Sequence, residues 1–162
     1  MEITPGPKVK LDSKDKLILT ELQLNARQSI AQIAKKTKLP RDVVVYRIKR
    51  LEELKVIRGH HTVLNHSRLG HPLFAYVFFS SYNLEPEKEK KFINYLSAQK
   101  NIVYVAKNSG EFDYTIGVCA KDYMQFDEIL REIRQKFISV IKEFKITPVI
   151  QEYKFDMMYN LI

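Results

Sequence analysis

Between Pro40 and Leu54 the chain sets Arg41, Asp42, Tyr46, Lys49, Arg50 and Glu53 along one side of a helical repeat, with Arg47 at the edge of that side. The arginines and the lysine among them are groups that recognise polyanions. Arg offers a planar fork of donors to a phosphate or a guanine edge, and Lys offers a compact charge. The distribution of charge points the same way. Residues 1–70 hold 15 Lys+Arg against 7 Asp+Glu, which is the whole of the +8 net charge, whereas residues 71–162 hold 12 of each. A polyanion partner is therefore expected for the front of the chain, and a different kind of partner for the back.

The other reactive residue types do not assemble into a centre. All four histidines, His60, His61, His66 and His71, fall within residues 58–73. The adjacent pair would face opposite ways on a strand and no Cys supports them, so no metal site is expected. The single Cys119 sits in the apolar run YTIGVCA and reads as a buried thiol in a reducing compartment. It excludes a disulfide framework and a Cys-based zinc finger. No nucleophile–base spacing, phosphate loop or paired-carboxylate motif is recognisable, so neither an enzyme nor a cofactor is expected. The chain has no 18-residue apolar run and no signal-peptide core, which makes a cytoplasmic location without membrane partners the default. A length of 162 residues, 45% hydrophobic and 28% charged, suits one medium globular domain or two small ones. The thin cores of small domains would gain from self-association.

The elements that must position these residues follow from periodicity and capping. Residues 1–10, with two prolines and a glycine, read as a flexible arm. Asp12 is an N-cap for a first helix whose apolar side carries Leu17, Ile18, Leu22 and Leu24, and Asp15 suits the helix dipole. Ser29-Ile30-Ala31-Gln32 is a capping box opening a second helix with Ile30, Ile33 and Ala34 inward. A turn at Thr37–Pro40 leads to the third helix, whose core stripe is Val44, Ile48 and Leu51. A supporting helix, a second helix, a turn and a basic helix follow helix-turn-helix logic. Residues 41–46 would lie nearest the base edges of duplex DNA, and Arg47, Lys49 and Arg50 would reach phosphates. In the back half the pattern predicts a strand over Leu73–Ser81, a helix over Glu85–Ser97 and a strand over Ile102–Ala106. A turn at Asn108–Gly110, a strand over Tyr114–Ala120, a helix over Tyr123–Phe137 and an extended segment over Ile141–Ile150 follow. This β-α-β-β-α-β order is ferredoxin-like, with helices on one face and an open apolar face for a second copy to cover.

The segment Leu11-Asp12…Asp15…Ile18…Leu22, Asn25-Ala26-Arg27-Gln28-Ser29, Ile33-Ala34, Val44…Arg47-Ile48…Arg50-Leu51-Glu52 and Val56-Ile57 resembles the Lrp/AsnC (feast/famine) regulators. The run from Tyr46 to Leu51 is most similar to archaeal members. The resemblance implies an α+β architecture: a winged-type helix-turn-helix domain (11–57), a β connector (58–73) whose strand pairs with a dimer mate, and a ferredoxin-like, RAM-like domain (74–162) for effector binding and oligomerisation. The expected DNA-contact set is Arg27, Ser29, Gln32, Arg41, Asp42, Val43, Tyr46, Arg47, Lys49 and Arg50. Ser109, Gly110, Glu111 and Asp113 look like the family's Gly-x-x-Asp effector loop. There Asp113 would hold an amino acid's ammonium group or cap the turn, and Gly110 would take a positive φ. The implied partners are double-stranded DNA, a second copy, higher assemblies of dimers, and a small effector such as an amino acid.

The chain departs from the family pattern in having Pro40 at the recognition-helix N-cap and Lys55 where Gly is usual. Its apolar tail, EYKFDMMYNLI, would add a strand or pack on a partner. An architectural DNA coater without an effector is the alternative function. Siroheme decarboxylases resemble the same family, but they carry Arg-Arg-Ile-Gly after the third helix, where this chain reads Arg58-Gly59-His60-His61.

Overall fold

The computed structural model describes residues 6–82 and 85–162, so the first half of the expected arm lies outside the described residues. Two compact units form. One extends to Val63 and includes Tyr153–Ile162, and the other is Leu64–Glu152. Among the described residues no helix is long and apolar enough to cross a membrane.

The first unit holds α1 (Ser13–Leu24), α2 (Ile30–Thr37) and α3 (Arg41–Glu53). Asp12 and Asp15 form a reciprocal capping box at the start of α1, and Ser29 and Gln32 form another at the start of α2. Ile18, Ile33, Ala34 and Val44 make the core, with Leu22, Ile30, Leu39 and Ile48 packed around it. The α1 stripe is narrower than its periodicity predicts: Leu17 and Leu24 are exposed, while Leu19 is buried. α2 and α3 both end through a lysine in the left-handed region, Lys38 at φ 56° and Lys55 at φ 58°. After α3 the Val56 N–H reaches Leu51 O at 2.9 Å and the Lys55 N–H reaches Glu52 O at 3.0 Å, the two bonds of a Schellman cap. The cap forms without the usual glycine, and α3 starts at Pro40 without a side-chain cap.

The flanks carry little regular structure. In the single chain residues 58–72 carry no strand, and the connector strand is expected only on pairing with a dimer mate. The tail clusters with the first unit and not with residues 74–152. Its Met158 N–H donates to Gln23 Oε1 on α1 at 2.6 Å, and a single 3-10 turn covers Tyr159–Leu161. Strand formation there would need alternating burial, yet Tyr153, Phe155, Met157 and Met158 are all exposed.

The second unit is built from β1 (Leu73–Ser81), α4 (Pro86–Ala98), β2 (Ile102–Lys107), β3 (Tyr114–Ala120), α5 (Tyr123–Lys136) and β4 (Ile141–Pro148). The antiparallel sheet has the order β2-β3-β1-β4, which is the ferredoxin-like arrangement. Alternation sorts β1 cleanly: Ala75, Val77 and Phe79 face the helices and are at most 1% exposed. Phe92 of α4 anchors this core. Its ring meets Phe79, Tyr114 and Phe137 edge-on with centroids 6.0, 5.5 and 5.0 Å away, and its burial contributes about 2–3 kcal/mol.

The opposite sheet face carries Phe74, Tyr76 and Phe78 in a ladder of tilted and edge-on rings, with Tyr104 crossing from β2 and the His66 ring over Phe74. Gly117 makes room for it, because a Cβ there would stand 3.0 Å from Tyr104 Cβ and 3.1 Å from a Phe74 ring carbon. The face is less open than its sequence pattern suggests. Phe74 is already buried, whereas Tyr104 is 49% exposed. Cys119 is buried, as expected, beside Asn101, whose side chain donates to the Cys119 carbonyl.

The left-handed cap gives a direct stability test. Lys55→Gly relieves the strain of a side chain at positive φ, and a gain of about 1 kcal/mol in urea unfolding is expected. An unchanged midpoint would show that the cap stores no strain.

Candidate nucleic-acid interface and ligand loop

α3 owes its orientation to a carboxylate on another helix. Asp15 is fully buried at the start of α1. Arg47 Nη1 lies 2.7 Å from Asp15 Oδ1 and 2.8 Å from Asp12 Oδ2, and Arg50 Nη1 lies 3.1 Å from Asp15 Oδ2. The Asp12 backbone N–H adds a further bond to Asp15 at 3.2 Å. Three donor groups thus satisfy one buried carboxylate and tie α1 to α3. The Asp15 N–H and the Arg47 guanidinium hold the Asp12 carboxyl below its ordinary value.

This corrects the sequence reading at two positions. Arg47 and Arg50 were expected to reach phosphates, but both turn inward to the aspartates. At about 100° per residue they fall on the side of α3 that meets α1, next to the core stripe. Their partners lie 32 to 35 residues away in the chain, beyond the reach of any local pattern. Arg41, Asp42, Tyr46 and Lys49 point away from that contact, with Tyr46 67% exposed, and Val43 is half-buried. Val45, absent from the expected set, stands 50% exposed between them. Its place one step outside the Val44 stripe was the available signal. An exposed methyl pair in such a row suits a thymine methyl.

Arg27 is exposed in the turn before α2, its N–H bonded to Asn25 Oδ1 at 2.9 Å. The Ser29 and Gln32 side chains are engaged in the capping box. Ser29 Oγ accepts the Gln32 N–H at 3.2 Å, and Gln32 Oε1 accepts the Ser29 N–H at 2.8 Å. Their first role is therefore to order the α2 N-terminus.

In the second unit the β2–β3 loop brings Ser109, Gly110, Glu111 and Asp113 together. Gly110 takes φ 151°, and nothing lies within 4 Å of a Cβ placed there. Asp113 Oδ2 accepts from the Ser81 N–H at 2.7 Å and from Ser81 Oγ at 2.8 Å. These bonds hold the Asp113 carboxyl below its ordinary value. Of the two roles open to Asp113, tying the loop to the end of β1 is the one its own chain fulfils. Among the described residues no three or more His, Cys, Asp or Glu are grouped to hold a metal ion.

A three-helix unit that presents one basic helix, followed by a βαββαβ unit with a glycine-containing loop, defines the class of two-unit helix-turn-helix transcription regulators. The chain belongs to the Lrp/AsnC family: residues 11–52 match the AsnC-type helix-turn-helix domain and residues 75–159 the Lrp/AsnC ligand binding domain. An uncharacterized HTH-type transcriptional regulator of Pyrococcus furiosus is 29% identical over 145 residues, covering 89% of this chain and 94% of the relative. The leucine-responsive regulatory protein of Haemophilus influenzae is 32% identical over 120 residues, 74% of this chain and 72% of that protein. A Neisseria meningitidis transcriptional regulator solved as an L-Met complex shares the fold, with TM-score 0.83 at 19% identity over 94% of this chain and all of the other. The protein is accordingly a DNA-binding transcription regulator and not an enzyme.

Asp15→Asn is expected to cost about 3 kcal/mol, because it strands two arginines beside a site that no longer carries a charge. The cost would appear as a lowered urea midpoint for the helical unit. Acid should act on the same cluster. Asp12 has a folded pKa below the ordinary 3.8, so its contribution is complete above that value and disappears as pH falls through the depressed one. A helical unit whose stability is flat from about pH 6 to about pH 2 would contradict this.

Proposed function

We propose that this regulator acts in the cytoplasm as a homodimer that reads duplex DNA through the outer face of α3 and answers to an amino acid. The observation that carries the DNA reading is the partition of α3: two arginines are committed to Asp12 and Asp15, while Arg41, Asp42, Val45, Tyr46 and Lys49 face outward. Arg41 stands at the helix N-terminus, where a helix entering the major groove meets base edges, and Lys49 lies where phosphates run. Arg27 and the α2 N-terminus add a phosphate contact on the flank.

The second copy is assigned to the aromatic sheet face, because the unit's own helices cover only the other one. Tyr76, Phe78 and Tyr104 offer rings that a symmetric mate can match. Larger assemblies of such dimers belong to the same reading. The effector is assigned to Ser109–Asp113, where Gly110 leaves open space and the Asp113 carboxylate, held by Ser81 through Oδ2, keeps its charge. The H. influenzae relative is named leucine-responsive, and the N. meningitidis protein was solved as an L-Met complex, which supports an amino acid as the ligand class.

DNA selected from a random pool, followed by titration, tests the reading. Arg41→Ala and Lys49→Ala are each expected to weaken binding several-fold. A variant that gives up one phosphate should show a slope of log affinity against log salt smaller by about 1. Parent-like binding by both variants would sink the assignment, and a pool that returns no preferred sequence would favour the DNA coater. For the dimer, Phe78→Glu is expected to give a monomer in sedimentation at micromolar concentration, and a dimer that survives it would move the interface elsewhere.

A further inference from the structure

The neck of the β2–β3 loop is gripped by a helix outside the ligand site described above. Glu89 lies in the first turns of α4, and its Oε1 accepts from Tyr114 Oη at 2.7 Å and from Lys107 Nζ. Lys107 ends β2 and Tyr114 begins β3, and the two are paired in register, so one carboxylate oxygen holds both residues that flank the loop. Tyr114 is 2% exposed, which makes its hydroxyl a buried donor that needs an acceptor. The bonds from Lys107 and Tyr114 lower the Glu89 carboxyl, so it is charged at neutral pH. Burial and the neighbouring Glu89 push the Tyr114 phenol upward.

Inside the neck, the Asn108 N–H donates to Asp113 O at 2.6 Å and Asn108 Nδ2 donates to Thr115 Oγ1 at 2.5 Å. On the far side, Ser81 of β1 holds Asp113. A hairpin loop with a positive-φ glycine at its tip has many shapes available to it. Here its ends are attached to α4 through Glu89, to β1 through Ser81 and to each other through Asn108.

We propose that Glu89 is the positioning residue of this loop: by holding Lys107 and Tyr114 together it sets the shape in which residues 108–113 accept a ligand, and it makes that shape answer to α4. The proposal rests on the reading of the loop as the effector site. Glu89 touches no ligand on this view. It acts through two residues that bracket the site, and its charge distinguishes it from a packing residue. Replacing the carboxylate by an amide keeps the size but removes the charge that orders both donors.

Glu89→Gln and Tyr114→Phe test this, each conserving volume so that the unit folds. Hydrogen exchange is measured at the amides of Asn108 and Asp113, with Val77 and Ile116 as core references. Roughly tenfold or faster exchange at the loop amides, with the references unchanged, is the expected result. Unchanged loop exchange overturns the proposal, and so does a rise spread evenly over core and loop, which is the mark of a purely structural residue. Calorimetry with the full set of natural amino acids supplies the second readout. Whichever amino acid the parent binds should bind roughly tenfold more weakly, or worse, to both variants, as it should to Asp113→Ala. Parent-like affinity in Glu89→Gln overturns the positioning role. A parent that binds none of them refutes the effector reading itself, while the exchange data still decide whether Glu89 shapes the loop.

Discussion

A buried carboxylate determines how the DNA-reading unit is put together. Asp15 has no access to water, and a charge in that position is tolerated only while its donors remain in place. Those donors are Arg47 and Arg50, neighbours across one turn of α3, together with the N-cap of α1. The ion pair therefore fixes the rotation of α3 about its own axis as well as the contact between two helices. Turning two arginines toward α1 leaves Arg41, Val45 and Lys49 facing away. Side chains that face α1 thus decide which ones face outward. The local charge changes with it, because two of the basic residues in α3 are offset by two aspartates before any phosphate approaches.

The second unit uses the same device with different residues. Its core packs aliphatic side chains around the rings of Phe79, Phe92 and Tyr114 and tolerates volume-conserving apolar swaps best. Its loop is held instead by charged and hydroxyl groups: Glu89 on Lys107 and Tyr114, and Asp113 on Ser81. Apolar burial supplies stability in both units, and a few directed carboxylate contacts supply geometry. Each candidate site sits beside such a contact.

Much of this is legible in the chain itself. The limits of β1 and β3 follow from two continuous apolar runs, the α2 start from Ser29 and Gln32, and the α3 core from Val44 and Leu51, because each signal is carried within a few residues. Asp15 carries a local signal as well, but a misleading one. A first-turn aspartate is ordinarily a solvated partner of the helix dipole, and only the arrival of α3 makes it a buried ion-pair acceptor. The same holds for Arg47 and Arg50, which look like phosphate ligands until their partners are known. Glu89 gives no sign of its role, because an acid on an amphipathic helix is the commonest thing to find there. The tail resists for a different reason. Its aromatic residues have no period, and its anchoring bond joins Met158 to Gln23 across 135 residues.

That bond has a consequence for how the chain folds. Since the helical unit draws on both ends of the sequence, the βαββαβ unit is an insertion within it, connected by two covalent crossings. The entry and exit of the insertion are neighbours: Ala75 of β1 faces Pro148 of β4, and the Val149 N–H bonds to Phe74 O at 2.9 Å. Pairing β1 with β4 therefore replaces a long loop closure between the tail and the helices by a short one. Formation of the sheet lowers the entropy lost when Tyr153–Ile162 settles on α1, so chain connectivity by itself couples the folding of the two units.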